Sequence, residues 1–136
     1  MRIDLVVRGV CCLRPGVPGL SEGIRVRSVV GRFLEHSRIL AFGERERRRF
    51  LIGSADLMPR NLDRRVEAMA PVTDPDLHAR LQEILDVNLA DDCLAWQLHG
   101  DGSWSKVPTE VGVNTHLRLQ ELAFERARRR RSSDGN

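Results

Sequence analysis

Lysine is all but missing from this chain: of 22 basic residues, Lys106 is the only lysine. The cationic surface is therefore built from arginine, as a GC-rich genome would give. Arginine also has a use of its own, because its planar guanidinium pairs with phosphate and carboxylate oxygens in a fixed fork. Long apolar stretches are missing too, and no run approaches the roughly 18–20 residues needed to span a bilayer. The N-terminus, Met1-Arg2-Ile3-Asp4, puts an acidic residue where a signal peptide needs an apolar core, so secretion is not expected. Cysteine is scarce: Cys11, Cys12 and Cys93 make an odd count without metal-ligand spacing. That excludes a disulfide framework and a thiolate metal site, and a reduced, cytoplasmic chain is expected. Cys11 and Cys12 should pack as small apolar residues. No internal repeat is present.

What is present suits one soluble domain. The chain has 136 residues, 41% of them hydrophobic and 30% charged, with a net charge of +3, which excludes a disordered polyelectrolyte. Residues 3–13 are rich in branched apolar side chains and predict a buried strand, interrupted by Arg8 near a strand end or beside a carboxylate. Arg14 to Gly19 is a loop. Ile24 to Val30 alternates and predicts a strand carrying Arg25 and Arg27 outward. Gly31 to Glu35 is a connector of about one helical turn. Arg38–Phe42 and Phe50–Leu51–Ile52 predict a hairpin around the charged Gly43–Arg49 turn, read as solvated, and the alternation from Arg64 to Pro71 predicts another strand. Thr73-Asp74-Pro75 starts a helix running to about Ala90, with Leu77, Leu81, Ile84 and Leu85 facing a sheet. Trp96–Leu98 and Trp104–Val107 flank Gly100-Asp101-Gly102 as a short hairpin. A final helix begins near Asn114. The expected fold class is α/β: a mixed sheet of about five strands packed by helices, with a C-terminal helix. Residues 1–127 form the domain, and 128–136, with Arg128 to Arg131, form a basic, disordered tail.

The chemistry centres on Leu34-Glu35-His36-Ser37-Arg38, followed by Gly53-Ser54-Ala55-Asp56 and Arg60-Asn61-Leu62-Asp63-Arg64-Arg65. A histidine, a hydroxyl-bearing turn and several arginines are the parts needed to handle a phosphoryl group. Each has a plainer reading. Arg65 could serve only to pair with Glu67, Arg60 and Arg64 could be solvated, and His78, His99 and His116, lacking a constellation, are read as surface residues.

These segments, together with Arg8-Gly9-Val10-Cys11-Cys12-Leu13-Arg14-Pro15-Gly16 and the run Ile24 to His36, resemble the final domain of bacterial polyphosphate kinase. That domain is in turn similar to one half of phospholipase D. The resemblance covers nearly the whole chain. It implies reversible transfer of the terminal phosphoryl of ATP to polyphosphate, with His36 as the second active-site histidine and the phosphorylated nucleophile in a preceding domain. It also implies that Arg8 and Arg65 face the transferred phosphate, with Arg38, Ser54 and Arg60 as further candidates for substrate contact. Mg2+ would arrive with ATP, and the chain itself offers no metal cluster. The implied partners are ATP/ADP, polyphosphate, the preceding domains and further copies of the full-length enzyme, and the chain alone is expected to be inactive.

The sequence departs from both patterns. Arg38 stands where phospholipase D has lysine, Asp56 where it has asparagine, and Leu57 where the kinase usually has tryptophan. Glu44 to Arg49 replaces a glycine-rich turn. The chain begins at the first strand, without the helix that normally precedes it, so a fragment or truncated product is expected. Two other readings stand beside this one. One is a homodimeric phospholipase D-like phosphodiesterase or nuclease; the other is a non-catalytic domain that binds polyphosphate or nucleic acid.

Overall fold

The alternation at Ile24–Val29 forms one of the two inner strands of a mixed sheet. The computed structural model describes residues 1–9, 11–44 and 47–133, in two units, Met1–Leu34 with Leu85–Asn136, and Glu35–Ile84. In the first, β1 (Ile3–Val6) runs parallel to β2 (Ile24–Val29). β2 pairs antiparallel with β6 (Ala95–Leu98), and β6 with β7 (Trp104–Lys106). Val26, Val29, Ala95, Leu98 and Leu122 form the buried apolar core there. In the second unit, β3 (Ile39–Phe42), β4 (Arg49–Gly53) and β5 (Met69–Val72) make an antiparallel sheet in that order. Helix α1 (Pro59–Arg64) precedes β5, α2 (Pro75–Ala90) starts in the second unit and ends in the first, and α3 (Thr115–Ser133) belongs to the first.

The α/β class, both hairpins and the C-terminal helix agree with the sequence reading. The strands differ in number and grouping: among the described residues there are seven in two sheets rather than about five in one. Residues 31–38 pass from β2 toward β3 without helix or strand, so the expected helical turn is absent. The first strand stops at Val6 instead of reaching Leu13. Val7 N still donates to Arg27 O at 2.8 Å, but Gly9 then takes a φ of +94°, outside extended pairing. Arg8 is exposed, and Cys11 and Cys12 are free thiols, half-buried and exposed, not core residues. Arg64 ends a helix instead of starting a strand, because Pro59 occupies its first turn and needs no N–H partner there.

Arg25 and Arg27 are not simply directed to water. Arg25 pairs with Asp4 at 2.7 Å, while Arg27 donates through Nη1 to the carbonyls of Leu89 and Asp91. Two adjacent carboxylates fasten the first unit just after α2. Asp91, fully buried, accepts from Leu94 N (2.6 Å), Ala95 N (2.9 Å) and Thr115 N (2.7 Å). Asp92 gathers the N–H groups of Glu110, Val111, Gly112 and Val113, which hold its carboxyl well below the usual range. His116, read as a surface residue, is buried against Phe33 with ring centroids 5.2 Å apart. His78 is half-buried, bonded to Val72 O and set against the Phe50 ring, whereas His99 is exposed beside Ser105 Oγ. Within the second unit α2 reaches the sheet through His78 and Leu81, but no residue of this helix is fully buried, and Leu77 is exposed. The Arg48 side chain of the charged turn donates to Gln82 at 2.5 Å, and the part of that turn at residues 45–46 lies outside the described residues. Arg128 to Arg131 continue α3 as far as Ser133, so the expected disordered tail is helical there. Cations complement the dipole at a helix C-terminus, which favours this continuation. Residues 134–136 lie outside the described residues.

Candidate functional site

The site is built where β3 begins and β4 ends. Gly53 N donates to Arg38 O at 3.1 Å, carrying the hairpin ladder one step past Ile39, and Ser54 N donates to Ala68 O at 3.0 Å. Gly53 is needed for this closeness, since a Cβ there would lie 2.6 Å from Ala68 O and 2.0 Å from Met69 Sδ. The turn that follows is thereby pressed against the segment leading into β5. His36 lies exposed three residues before β3.

Two polar clusters surround it in the sequence. In one, Arg38 Nε donates to Asp56 Oδ1 at 2.8 Å while Nη1 donates to the His36 carbonyl at 3.3 Å. The bond from Arg38 lowers the Asp56 carboxyl, with Coulombic help from Arg38, His36 and Arg60, and the same bond raises the Arg38 pKa. In the other cluster, Ser54 Oγ donates to Glu67 Oε2 at 2.5 Å and accepts from Ala68 N at 3.1 Å. Asn61 Nδ2 donates to Glu67 Oε1 at 2.7 Å from a position only 2% exposed. The Ser54 and Asn61 bonds hold the Glu67 carboxyl below its ordinary range, and the charges of Arg65 and Arg38 add to the effect.

An open pocket of about 460 Å³ runs beside both clusters. Ser37, Arg38 and Ser54 line it together with the apolar Ile39, Ile52 and Leu81.

The candidates named from sequence thus divide. Arg38 and Ser54 lie in the two clusters, joined internally to carboxylates. Arg60 and Arg65 are exposed in the same unit, and among the described residues no ion pair joins Arg65 to Glu67. Arg8 belongs to the other unit and has no ion pair among the described residues. Asn61, and the use of Glu67 as an acceptor for Ser54, escaped the sequence reading. Both residues stand in the motif it quoted, but a buried asparagine inside a basic helical turn has no pattern that distinguishes it from its solvated neighbours. Among the described residues no group of three or more His, Cys, Asp or Glu side chains could hold a metal ion, and no helix is long and apolar enough to cross a membrane.

Comparison with known proteins identifies the family of the chain. Polyphosphate kinase from Streptomyces coelicolor is 50% identical over 131 residues, covering 96% of this chain and 18% of that one. The polyphosphate kinase of Thermosynechococcus vestitus is 53% identical over 117 residues, 84% of this chain and 16% of that one. The chain therefore spans less than a fifth of the length of these curated relatives (18% and 16%). The crystal structure of polyphosphate kinase from Porphyromonas gingivalis superposes with a TM-score of 0.86 at 35% identity, over 92% of this chain and 19% of that one. The sequence model described as Polyphosphate kinase C-terminal domain 2 matches residues 1–120, and the chain belongs to that family.

Proposed function

We propose that this chain acts as the C-terminal catalytic domain of a polyphosphate kinase and contributes to reversible transfer of the terminal phosphoryl of ATP to polyphosphate. The observation that carries the reading is the family match across residues 1–120, which includes the whole His36 to Glu67 region. His36 serves as the second active-site histidine. It moves a proton on the oxygen that attacks or leaves phosphorus, a task for which the two ring nitrogens of an imidazole, one donor and one acceptor, are suited. Arg8 and Arg65 supply guanidinium charge to the equatorial oxygens, since phosphoryl transfer is catalysed mainly by positioning and electrostatics. The phosphorylated nucleophile comes from a preceding domain, and Mg2+ comes with the nucleotide as part of the substrate. The enzyme works in the cytoplasm as a homo-oligomer.

The test is a chimera in which this chain replaces the matching segment of the Streptomyces coelicolor enzyme. ATP-dependent polyphosphate synthesis should be present in the chimera. His36→Gln, whose amide cannot shuttle a proton, should lower turnover by about 10²–10⁴-fold, the usual worth of general acid–base catalysis. Near-normal turnover in that variant would make His36 structural and end this reading.

A further inference from the structure

We propose that Arg38 is a positioning residue for His36 rather than a ligand of the transferred phosphate. The inference rests on the role given to His36 above. The Arg38 main chain is fixed by the sheet, through Gly53 N to Arg38 O at 3.1 Å. Its side chain then folds back onto the preceding residues. Nη1 holds the His36 carbonyl at 3.3 Å and Nε holds Asp56 at 2.8 Å. One guanidinium therefore ties the segment bearing the histidine to the turn after β4.

Charge decides against a direct phosphate role. The Arg38 and Asp56 side chains are 23% and 36% exposed, so the pair is partly shielded from water. An arriving phosphate would meet an arginine already neutralised by a carboxylate, and that carboxylate would repel it. Arg60 and Arg65, exposed and without an ion pair among the described residues, carry no such handicap. The anchor at the far side is firm. Asp56 lies two residues beyond Ser54, whose hydroxyl is bound to Glu67 and Ala68 N, and Glu67 is bound in turn to buried Asn61. Rigidity thus passes from α1 and β5 through the turn to Arg38, and from Arg38 to the peptide group from which the imidazole projects. Productive proton transfer tolerates only small displacements of the acting group, so this framing sets turnover without touching substrate.

Kinetics on the chimera separate the two roles. Arg38→Lys keeps the charge but puts every donor on one atom, and Asp56→Ala removes the anchor. Each should lower kcat at least tenfold and leave KM for polyphosphate within about twofold. The double variant should fall little below either single one, because both break one linkage. A phosphate ligand would behave differently: KM would rise tenfold or more in Arg38→Lys, and Asp56→Ala, by freeing the arginine, would lower KM. Either of those results, or an unchanged kcat in both variants, overturns the proposal. A second measurement needs no activity. In the isolated chain, the backbone order parameter at Ser37, whose peptide group contains the His36 carbonyl, should fall to about 0.6 or below in Arg38→Lys, with β3–β4 amides unchanged at about 0.85. An unchanged order parameter at Ser37 also overturns it. Retained activity in His36→Gln would instead strike the reading of His36, and the Ser37 result would still stand by itself.

Discussion

Replacing Asp91 by asparagine changes one oxygen to an NH2 group in a site that supplies only donors. The carboxylate accepts three backbone N–H groups, Leu94 and Ala95 on Oδ1 and Thr115 on Oδ2, with the residue fully buried. An amide can turn its oxygen to the Leu94–Ala95 side, but its nitrogen then faces Thr115 N–H, donor against donor. The least damaging orientation still loses one charge-assisted bond and strands one buried donor, a cost of about 2–4 kcal/mol. It also removes a negative charge that faces the N-terminus of α3 through Thr115 N, worth about 0.3–1 kcal/mol. Asp91→Ala strands all three donors and should cost more, a large share of the roughly 5–15 kcal/mol that holds a domain together. Urea unfolding followed by tryptophan fluorescence reads this directly, because Trp96 and Trp104 sit on β6 and β7 of the same unit. With a slope of about 1–3 kcal/mol/M, a 3 kcal/mol loss moves the midpoint down by about 1–3 M at unchanged slope. An unfolding free energy for Asp91→Asn within about 0.5 kcal/mol of the parent would refute the claim that these three bonds fasten the unit.

The neighbouring Asp92 predicts a pH dependence. Its folded carboxyl lies below the unfolded value, so its stabilisation is complete above about pH 4 and is lost as pH falls further. The urea midpoint should therefore drop steeply below pH 4 in the parent and less steeply in Asp92→Asn, which starts lower at pH 7; parallel profiles would contradict this. Ser54→Ala deletes the bond to Glu67 and the acceptor for Ala68 N, and should cost about 1–2 kcal/mol in unfolding measurements while raising the Glu67 carboxyl titration seen by NMR. The isolated chain incubated with ATP should form neither polyphosphate nor phosphohistidine, and stoichiometric phosphohistidine on it would reverse the assignment of the nucleophile to a preceding domain.

Local chemistry was legible where a residue acts on its own neighbourhood. Asp74 and Asn114 were readable as helix starts, and they bond to Asp76 N at 2.8 Å and Leu117 N at 3.2 Å. The Gly100–Gly102 hairpin and the β3–β4 pair were equally plain, since alternation flanked by turn residues specifies both. Division into two sheets was not, because β2 finds β6 across more than sixty residues and no periodicity encodes a distant partner. Arg27 was misread for the same reason: its alternation places it on the outer face, and only the fold brings the Leu89 and Asp91 carbonyls to it. In the site, the residue types at His36, Arg38 and Ser54 could be named in advance. Their linkages could not, because Asn61 and Glu67 are brought to Ser54 by the path of α1 into β5.

Because residues 35–84 interrupt the first unit, the two units should acquire structure at different speeds. The second is contiguous, and its β3–β4 pairing joins residues close in sequence, Phe42 with Arg49 at the near end. Closing that hairpin takes microseconds in isolated systems. The first unit has to join Val29 to Ala95 before its central strands can pair, and loop-closure entropy makes such pairing slow. On a ribosome, the hairpin can form while β6 is still inside the exit tunnel, with β2 left unpaired along one edge until then. A refolding experiment should accordingly resolve an early phase in the β3–β5 amides and a later one in Val26 and Ala95.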